Sequence, residues 1–195
     1  MVSELKAREN PFASNRIENL EFRFPDGVTW DDLLERLEAT QFCGAIVGPH
    51  GSGKTTLVEQ LVPHLEARGF RPEIIRLNSE TSMRDKERLP ERLRQIEKPG
   101  FILLDGAEQL STRHWLPVRS AATRAAGFIV TVHRVSRLPV LFECSTNAGL
   151  LEELVEELTG GRLPVAEAPN LFARHSGNMR DAFRELYDRW AGLEA

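Results

Sequence analysis

Eight consecutive residues, Gly48-Pro49-His50-Gly51-Ser52-Gly53-Lys54-Thr55, have the chemistry of a phosphate cradle. They fit the pattern G-x-x-x-x-G-K-[ST], and each fixed position has a physical reason. The glycines let the backbone turn with its N–H groups pointing inward, and Gly53 leaves room for the chain to pass close to phosphate oxygens. Lys54 brings a point charge to the outer phosphates, and the Thr55 hydroxyl is a ligand for Mg²⁺. The helix that begins there adds the positive end of its dipole, so the nucleotide-binding stretch is read as Gly48 to Thr56. The context is the one the pattern requires: Ala45-Ile46-Val47 reads as a short buried strand leading in, and Thr56 to Val62 as a helix leading out.

A second chemical signal is Phe101-Ile102-Leu103-Leu104-Asp105. Four apolar residues ending in a carboxylate describe a buried parallel strand that delivers an acid to its carboxyl end, where open α/β sheets bind ligands. Asp105 is expected to hold Mg²⁺ together with Thr55. Glu108 follows three positions later, within reach of the same phosphates if the chain turns helical there; Glu143 is a second acid near a strand end. From Gln109 to Phe142 there is no Asp or Glu, while Arg113, Arg119, Arg124, Arg134, Arg137, His114 and His133 all occur. Near the C-terminus Asn178 is an expected helix N-cap. Arg180 then falls in a first turn, where the helix dipole disfavours a cation unless an anion is near; either Asp181 or a nucleotide phosphate meets that need.

The elements that position these residues follow from patterning. Further buried strands are expected at Glu73–Leu77, Gly127–Val132 and Val140–Cys144, making five in all. Helices are expected from Trp30 with Thr29 as cap, after the phosphate loop to about Arg68 with a kink or shortening at Pro63, and over Asp85–Ile96 with an interruption at Pro90. More follow at Ala121–Ala126, Leu150–Leu158 and through the C-terminal segment. Glu21 to Phe24 alternates like a short strand. Strands alternating with helices imply parallel pairing and right-handed crossovers.

Bulk properties exclude some classes. The 195 residues carry a net charge of −4 and a sequence pI of about 5.8, which argues against coating nucleic acid by global charge; 41% apolar residues suffice for a core. Cys43 and Cys144 lack metal-ligand spacing and read as reduced thiols of a cytoplasmic protein. The first ten residues do not read as a signal peptide, and no run of about 18 apolar residues offers a membrane span.

The order of parts resembles the AAA+ and wider AAA-like ATPases of the P-loop class. Gly48–Thr55 resembles their Walker A loop, and Leu104-Asp105-Gly106-Ala107-Glu108-Gln109-Leu110 their Walker B segment. Ile129–Val132 followed by His133 resembles the strand carrying sensor 1, and Ser176-Gly177-Asn178-Met179-Arg180 the start of the lid helix carrying the sensor 2 arginine. The resemblance implies a three-layer α/β/α fold with a mostly parallel five-stranded sheet and a small C-terminal helical lid. Its expected organisation is a leader over residues 1–40, a nucleotide-binding core over 41–148 and a lid over 149–195. It also implies ATP and Mg²⁺ as cofactors, with Lys54, Glu108, His133 and Arg180 as catalytic residues.

One departure matters: the family's usual acid directly after the Walker B Asp is replaced by Gly106. The leading expectation is a Mg²⁺-dependent ATPase acting as a molecular switch or motor component. The alternatives are an ATP-binding regulator with little hydrolysis that works through a protein or DNA partner, and a small-molecule or nucleotide kinase. A homo-oligomer or a protein partner is compatible with the family; Arg113, Arg134 and Arg137 are candidates for an arginine offered to a neighbour. Nucleic acid is not indicated by net charge, and no membrane is expected.

Overall fold

In the computed structural model, residues 10–134, 137–161 and 167–193 are described; residues 1–9 of the expected leader and 194–195 of the expected lid fall outside them. The described residues form five strands, β1 (Cys43–Val47), β2 (Arg71–Arg76), β3 (Gly100–Asp105), β4 (Gly127–Val132) and β5 (Val140–Glu143). Their helices are α1 (Ser14–Ile17), α2 (Trp30–Ala39), α3 (Lys54–Glu66), α4 (Met83–Arg94), α5 (Thr112–Ala122), α6 (Ala148–Thr159), α7 (Ala168–Arg174) and α8 (Met179–Leu193). The strand order is β2-β3-β4-β1-β5, and every pairing is parallel. The chain leaves β1 toward β2 on one side and reaches β5 on the other, so β1 is where the winding direction reverses. In open α/β sheets the crevice at the carboxyl end of such a strand is the ligand site.

The described residues divide into two compact units. The first comprises Phe24–Gly48 and Gly53–Cys144 and contains the sheet. It is a three-layer α/β/α sandwich. On one face Ala45, Val47, Ile102, Leu104, Phe128 and Val130 join Leu89 and Leu93 of α4 and Trp115, Val118 and Ala121 of α5 in one apolar cluster. The alternate residues Ile46, Leu103 and Ile129 are equally buried, as the two-residue period of a strand covered on both faces requires. There α3 meets β2 and β3, and α2 meets β5. The start of α2 is held by a reciprocal cap, with the Thr29 side chain accepting from the Asp32 N–H and Asp32 accepting from the Thr29 N–H at 2.8 Å.

The second unit comprises the described residues before Phe24, Pro49–Ser52 and those from Ser145 onward. Its core joins Phe12 and Leu20 to Leu151, Val155, Leu171, Ala182 and Phe183. Phe12 stacks on Phe183 with centroids 6.3 Å apart.

Several expectations need correction. Glu21–Phe24 is irregular, not a strand, because no neighbouring strand supplies a ladder; the Phe24 ring is instead held edge-on against Trp30 and Phe142. The charged helix runs unbroken through Pro90, whose ring is buried between Leu89 and Leu93 on the core-facing side. Pro63 falls in the last turn of α3 and leaves the helix intact to Glu66. The expected helix at Ala121–Ala126 is only the tail of α5, which begins nine residues earlier at Thr112 and includes Pro117.

Candidate functional site

Within the sheet unit, β1 ends at Val47 and the chain enters the phosphate loop. The Gly48 N–H donates to the Val132 carbonyl at 3.1 Å, fixing the loop's base to β4. Gly53 adopts φ +83° as the residue before α3, a left-handed conformation that a side chain disfavours. Lys54 opens α3 and is only 7% exposed. Its Nζ donates to the Gly48 carbonyl at 2.6 Å and lies 3.4 Å from His133 Nδ1. Thr56 occupies the first turn of the same helix.

Asp105 ends β3 after four fully buried residues. Its carboxylate is held from two directions. The Thr55 hydroxyl donates to Oδ2 at 2.9 Å, and the Thr131 hydroxyl donates to Oδ1 at 2.5 Å. Thr131 is 1% exposed and also accepts from the Gly106 N–H at 2.8 Å. One hydroxyl thus fixes both the acid and the backbone that follows it.

Gly106 explains the missing acid. Its φ is +87°, and a Cβ there would lie 2.1 Å from the Leu77 carbonyl oxygen. No side chain fits, so a carboxylate cannot be carried at that position. The left-handed turn leads into a single 3-10 turn, Ala107–Gln109, which presents Glu108 instead. Glu108 Oε1 lies 2.7 Å from His133 Nε2. A neutral ring with its proton on Nε2 donates to Glu108 and leaves Nδ1 to accept from Lys54. Thr131 and His133, two positions apart, therefore each hold one acid: Asp105 and Glu108 respectively.

Thr131 is the residue that sequence reasoning missed. Its signal was available, since it is the one polar side chain in Gly127-Phe128-Ile129-Val130-Thr131-Val132. Glu143 ends β5 in an exposed position, opposite Val47 in register. Of the arginine candidates, Arg113 touches Met83 Sδ at 3.5 Å, Arg137 donates to Thr112 Oγ1 at 2.9 Å, and Arg134 is exposed.

In the other unit, Pro49 and His50 are exposed, and the Ser52 hydroxyl donates to the Pro49 carbonyl at 2.9 Å. Gly51 has φ +70°, and a Cβ would lie 1.9 Å from Asn178 Oδ1. Asn178 caps α8 by accepting from the N–H groups of Arg180 at 3.1 Å and Asp181 at 3.4 Å. Asp181 is taken up by Asn178 Nδ2 at 2.6 Å and by Arg184 at 3.8 Å. Exposed Arg180 has no carboxylate within salt-bridge distance among the described residues.

The donor set suits Mg²⁺. Thr55 and Asp105 supply two hard oxygens at the head of a helix, and Mg²⁺ commonly takes one or two protein oxygens and completes its shell with phosphates and water. Among the described residues no group of three or more His, Cys, Asp or Glu is arranged to hold a metal by itself. The glycine turns and the buried lysine suit a nucleotide's phosphates in the same way.

Parallel sheet, reversal at β1, phosphate loop and strand-end acid define a P-loop nucleotide-binding fold. The chain belongs to the AAA family, the ATPase family associated with various cellular activities, whose model matches residues 45–166. No curated protein matches the sequence significantly. Among solved structures, a variant of Thermotoga maritima RuvB is similar at 18% identity, with a TM-score of 0.59 over 85% of this chain. The replication initiator DnaA, bound to AMPPCP and single-stranded DNA, is similar at 15% identity, with a TM-score of 0.57 over 87% of this chain. The chain spans 62% of the length of each of these two proteins, and at these identities the likeness concerns the fold. No described helix is long and apolar enough to cross a membrane.

Proposed function

We propose that this protein binds ATP with Mg²⁺ and hydrolyses it, working as a molecular switch. The observation that carries this reading is the Thr55–Asp105 hydrogen bond, which joins the phosphate loop to the strand-end acid through the two side chains suited to one Mg²⁺. Bound MgATP supplies an activated γ-phosphoryl group whose transfer to water needs positioning and charge neutralisation. Lys54 and the loop N–H groups neutralise the outer phosphates. Thr55 and Asp105 hold the metal's oxygen shell, with Thr131 fixing Asp105. Glu108 orients a water and accepts its proton, and His133 holds Glu108 ready. Arg180 is the cation for a phosphate oxygen, a role supported by the family resemblance and by its lack of a carboxylate partner.

The pairing of Glu108 with His133 favours a second reading. In it the protein binds ATP with slow turnover until a partner releases Glu108. Phosphate release from MgATP separates the readings, measured with nucleotide binding for wild type, Lys54→Ala and Glu108→Gln. Turnover without an added acceptor, lost by about 100-fold or more in Glu108→Gln while binding persists, supports the ATPase. Binding without turnover in the wild type sinks the stand-alone enzyme and leaves the switch. Phosphate transfer only to an added acceptor sinks both.

A further inference from the structure

A cavity of about 310 Å³ is lined in part by the Glu108–His133 pair. Besides those two side chains, Leu110, Trp115, Arg134 and Arg137 line it. Its lining combines apolar side chains with two guanidiniums and the one carboxylate of Glu108, which His133 already holds. The Arg137 guanidinium lies 5.9 Å above the Trp115 ring, and Arg134 is exposed. Leu116, next along α5 from the lining residue Trp115, is a large apolar side chain left in solvent at 66% exposure. Every residue from Gln109 to Phe142 is neutral or basic in an otherwise acidic chain.

We infer that this cavity is a docking site for an acidic peptide segment of a protein partner, one that alternates carboxylate and apolar side chains. Two guanidiniums beside an apolar wall recognise a carboxylate on an apolar stem, by paired charge-assisted hydrogen bonds at the head and burial of the stem. Exposed Leu116, one residue on from Trp115, offers apolar surface to a neighbouring residue of the same segment. A nucleic acid would bring phosphate to the same arginines, but it draws on open aromatic faces for stacking. Trp115 offers none: it is 6% exposed, packs on Phe128 at 6.2 Å and is covered by Arg137. The net charge of −4 disfavours nucleic acid further. On the second, slow-turnover reading given above, an occupant's carboxylate beside His133 competes with Glu108 for the ring and frees the acid. That consequence rests on the slow-turnover reading, while the docking does not.

The test is calorimetric titration of the nucleotide-free full chain with an acetylated hexapeptide of alternating glutamate and leucine, and with its glutamine-for-glutamate counterpart. Expected is saturable binding with Kd below about 1 mM, weakened about tenfold or more by the glutamine peptide and by Arg134→Glu. Arg137→Ala is expected to weaken it similarly. Arg134 is exposed, so its variant remains interpretable if loss of the Arg137–Trp115 contact disturbs folding. In the bound state the His133 ring resonances are expected to move. Absence of saturable binding overturns the proposal, as do equal affinity for the glutamine peptide, indifference to Arg134→Glu and an unmoved His133 ring. So does displacement of the peptide by a short oligothymidylate of comparable affinity, which would assign the site to nucleic acid. None of these readouts involves ATP, so failure of the ATPase reading is seen separately.

Discussion

Gly106 and Thr131 together decide how this site departs from the pattern it resembles. At Gly106 the backbone is left-handed and meets the Leu77 carbonyl at a distance that admits no Cβ. Gly106→Glu, which restores the usual acid by sequence, is therefore expected to lower stability by about 2 kcal/mol or more and to give no gain in turnover. The urea midpoint and phosphate release check the two halves. A stable, faster Gly106→Glu protein would show that the 3-10 turn is not what carries the working carboxylate. Thr131→Val keeps the shape of the side chain but removes the donor to Asp105 and the acceptor for the Gly106 N–H. A buried N–H left unpaired costs about 1–3 kcal/mol. Asp105, no longer held, should bind metal less well, so affinity for ATP should fall more with Mg²⁺ than with EDTA. An equal fall in both conditions would mean that Thr131 serves the backbone alone.

At the scale of elements, the strands were the most legible part of the chain. A parallel strand buried on both faces is written as a run such as Phe101–Leu104, which needs no neighbour to be recognised. Glu21–Phe24 shows the converse, since alternation alone makes no strand where no edge receives it. Proline misled for a related reason. Pro90 and Pro117 forfeit one helical hydrogen bond each, yet both sit in helices that bury an apolar face against the sheet, and packing outweighs the local loss. The candidate site was legible as far as its two motifs. The pairing of Asp105 with Thr131 and of Glu108 with His133 was not, because it depends on the β3–β4 register and on a left-handed turn.

The α7–α8 corner carries a prediction of its own. Glu185 lies 2.6 Å from His175 Nε2, 3.3 Å from Arg174 and also pairs with Arg189. The His175 hydrogen bond, and then the Arg189 and Arg174 charges, hold its carboxyl below the ordinary glutamate range. A depressed folded-state pKa contributes stability that is present above the unfolded value and lost as pH falls through the folded one. Amide exchange in α8 is thus expected to quicken as pH falls below the ordinary glutamate range, after correction for intrinsic rates. Glu185→Gln should flatten that dependence, and an unchanged pH profile in the variant would remove Glu185 as its source.

For the molecule as a whole, the reactivity of Cys144 is expected to report on nucleotide binding. Its N–H donates to the Val47 carbonyl at 2.7 Å, at the strand end where the phosphate loop begins, and its side chain is 1% exposed. Burial pushes the thiol up to about 12, against a smaller opposing pull from Lys54. Only about one part in ten thousand is thiolate at pH 8, and the reagent must reach it as well, so alkylation of the native protein has to pass through opening of β5 from β1. A ligand that binds only the closed form lowers the open population by the factor 1 + [L]/Kd. MgATP at 100 times its Kd is therefore expected to slow alkylation of Cys144 by roughly 100-fold, equivalent to about 2.7 kcal/mol. Site-resolved mass spectrometry separates this from Cys43, whose thiol is raised by a shallower burial. In Lys54→Ala the protection should vanish while the rate without nucleotide stays governed by the same opening. Protection that survives Lys54→Ala would place the nucleotide elsewhere than the phosphate loop. A Cys144 that reacts rapidly in the native chain would mean that the β1–β5 edge opens locally, at a free energy well below that of global unfolding.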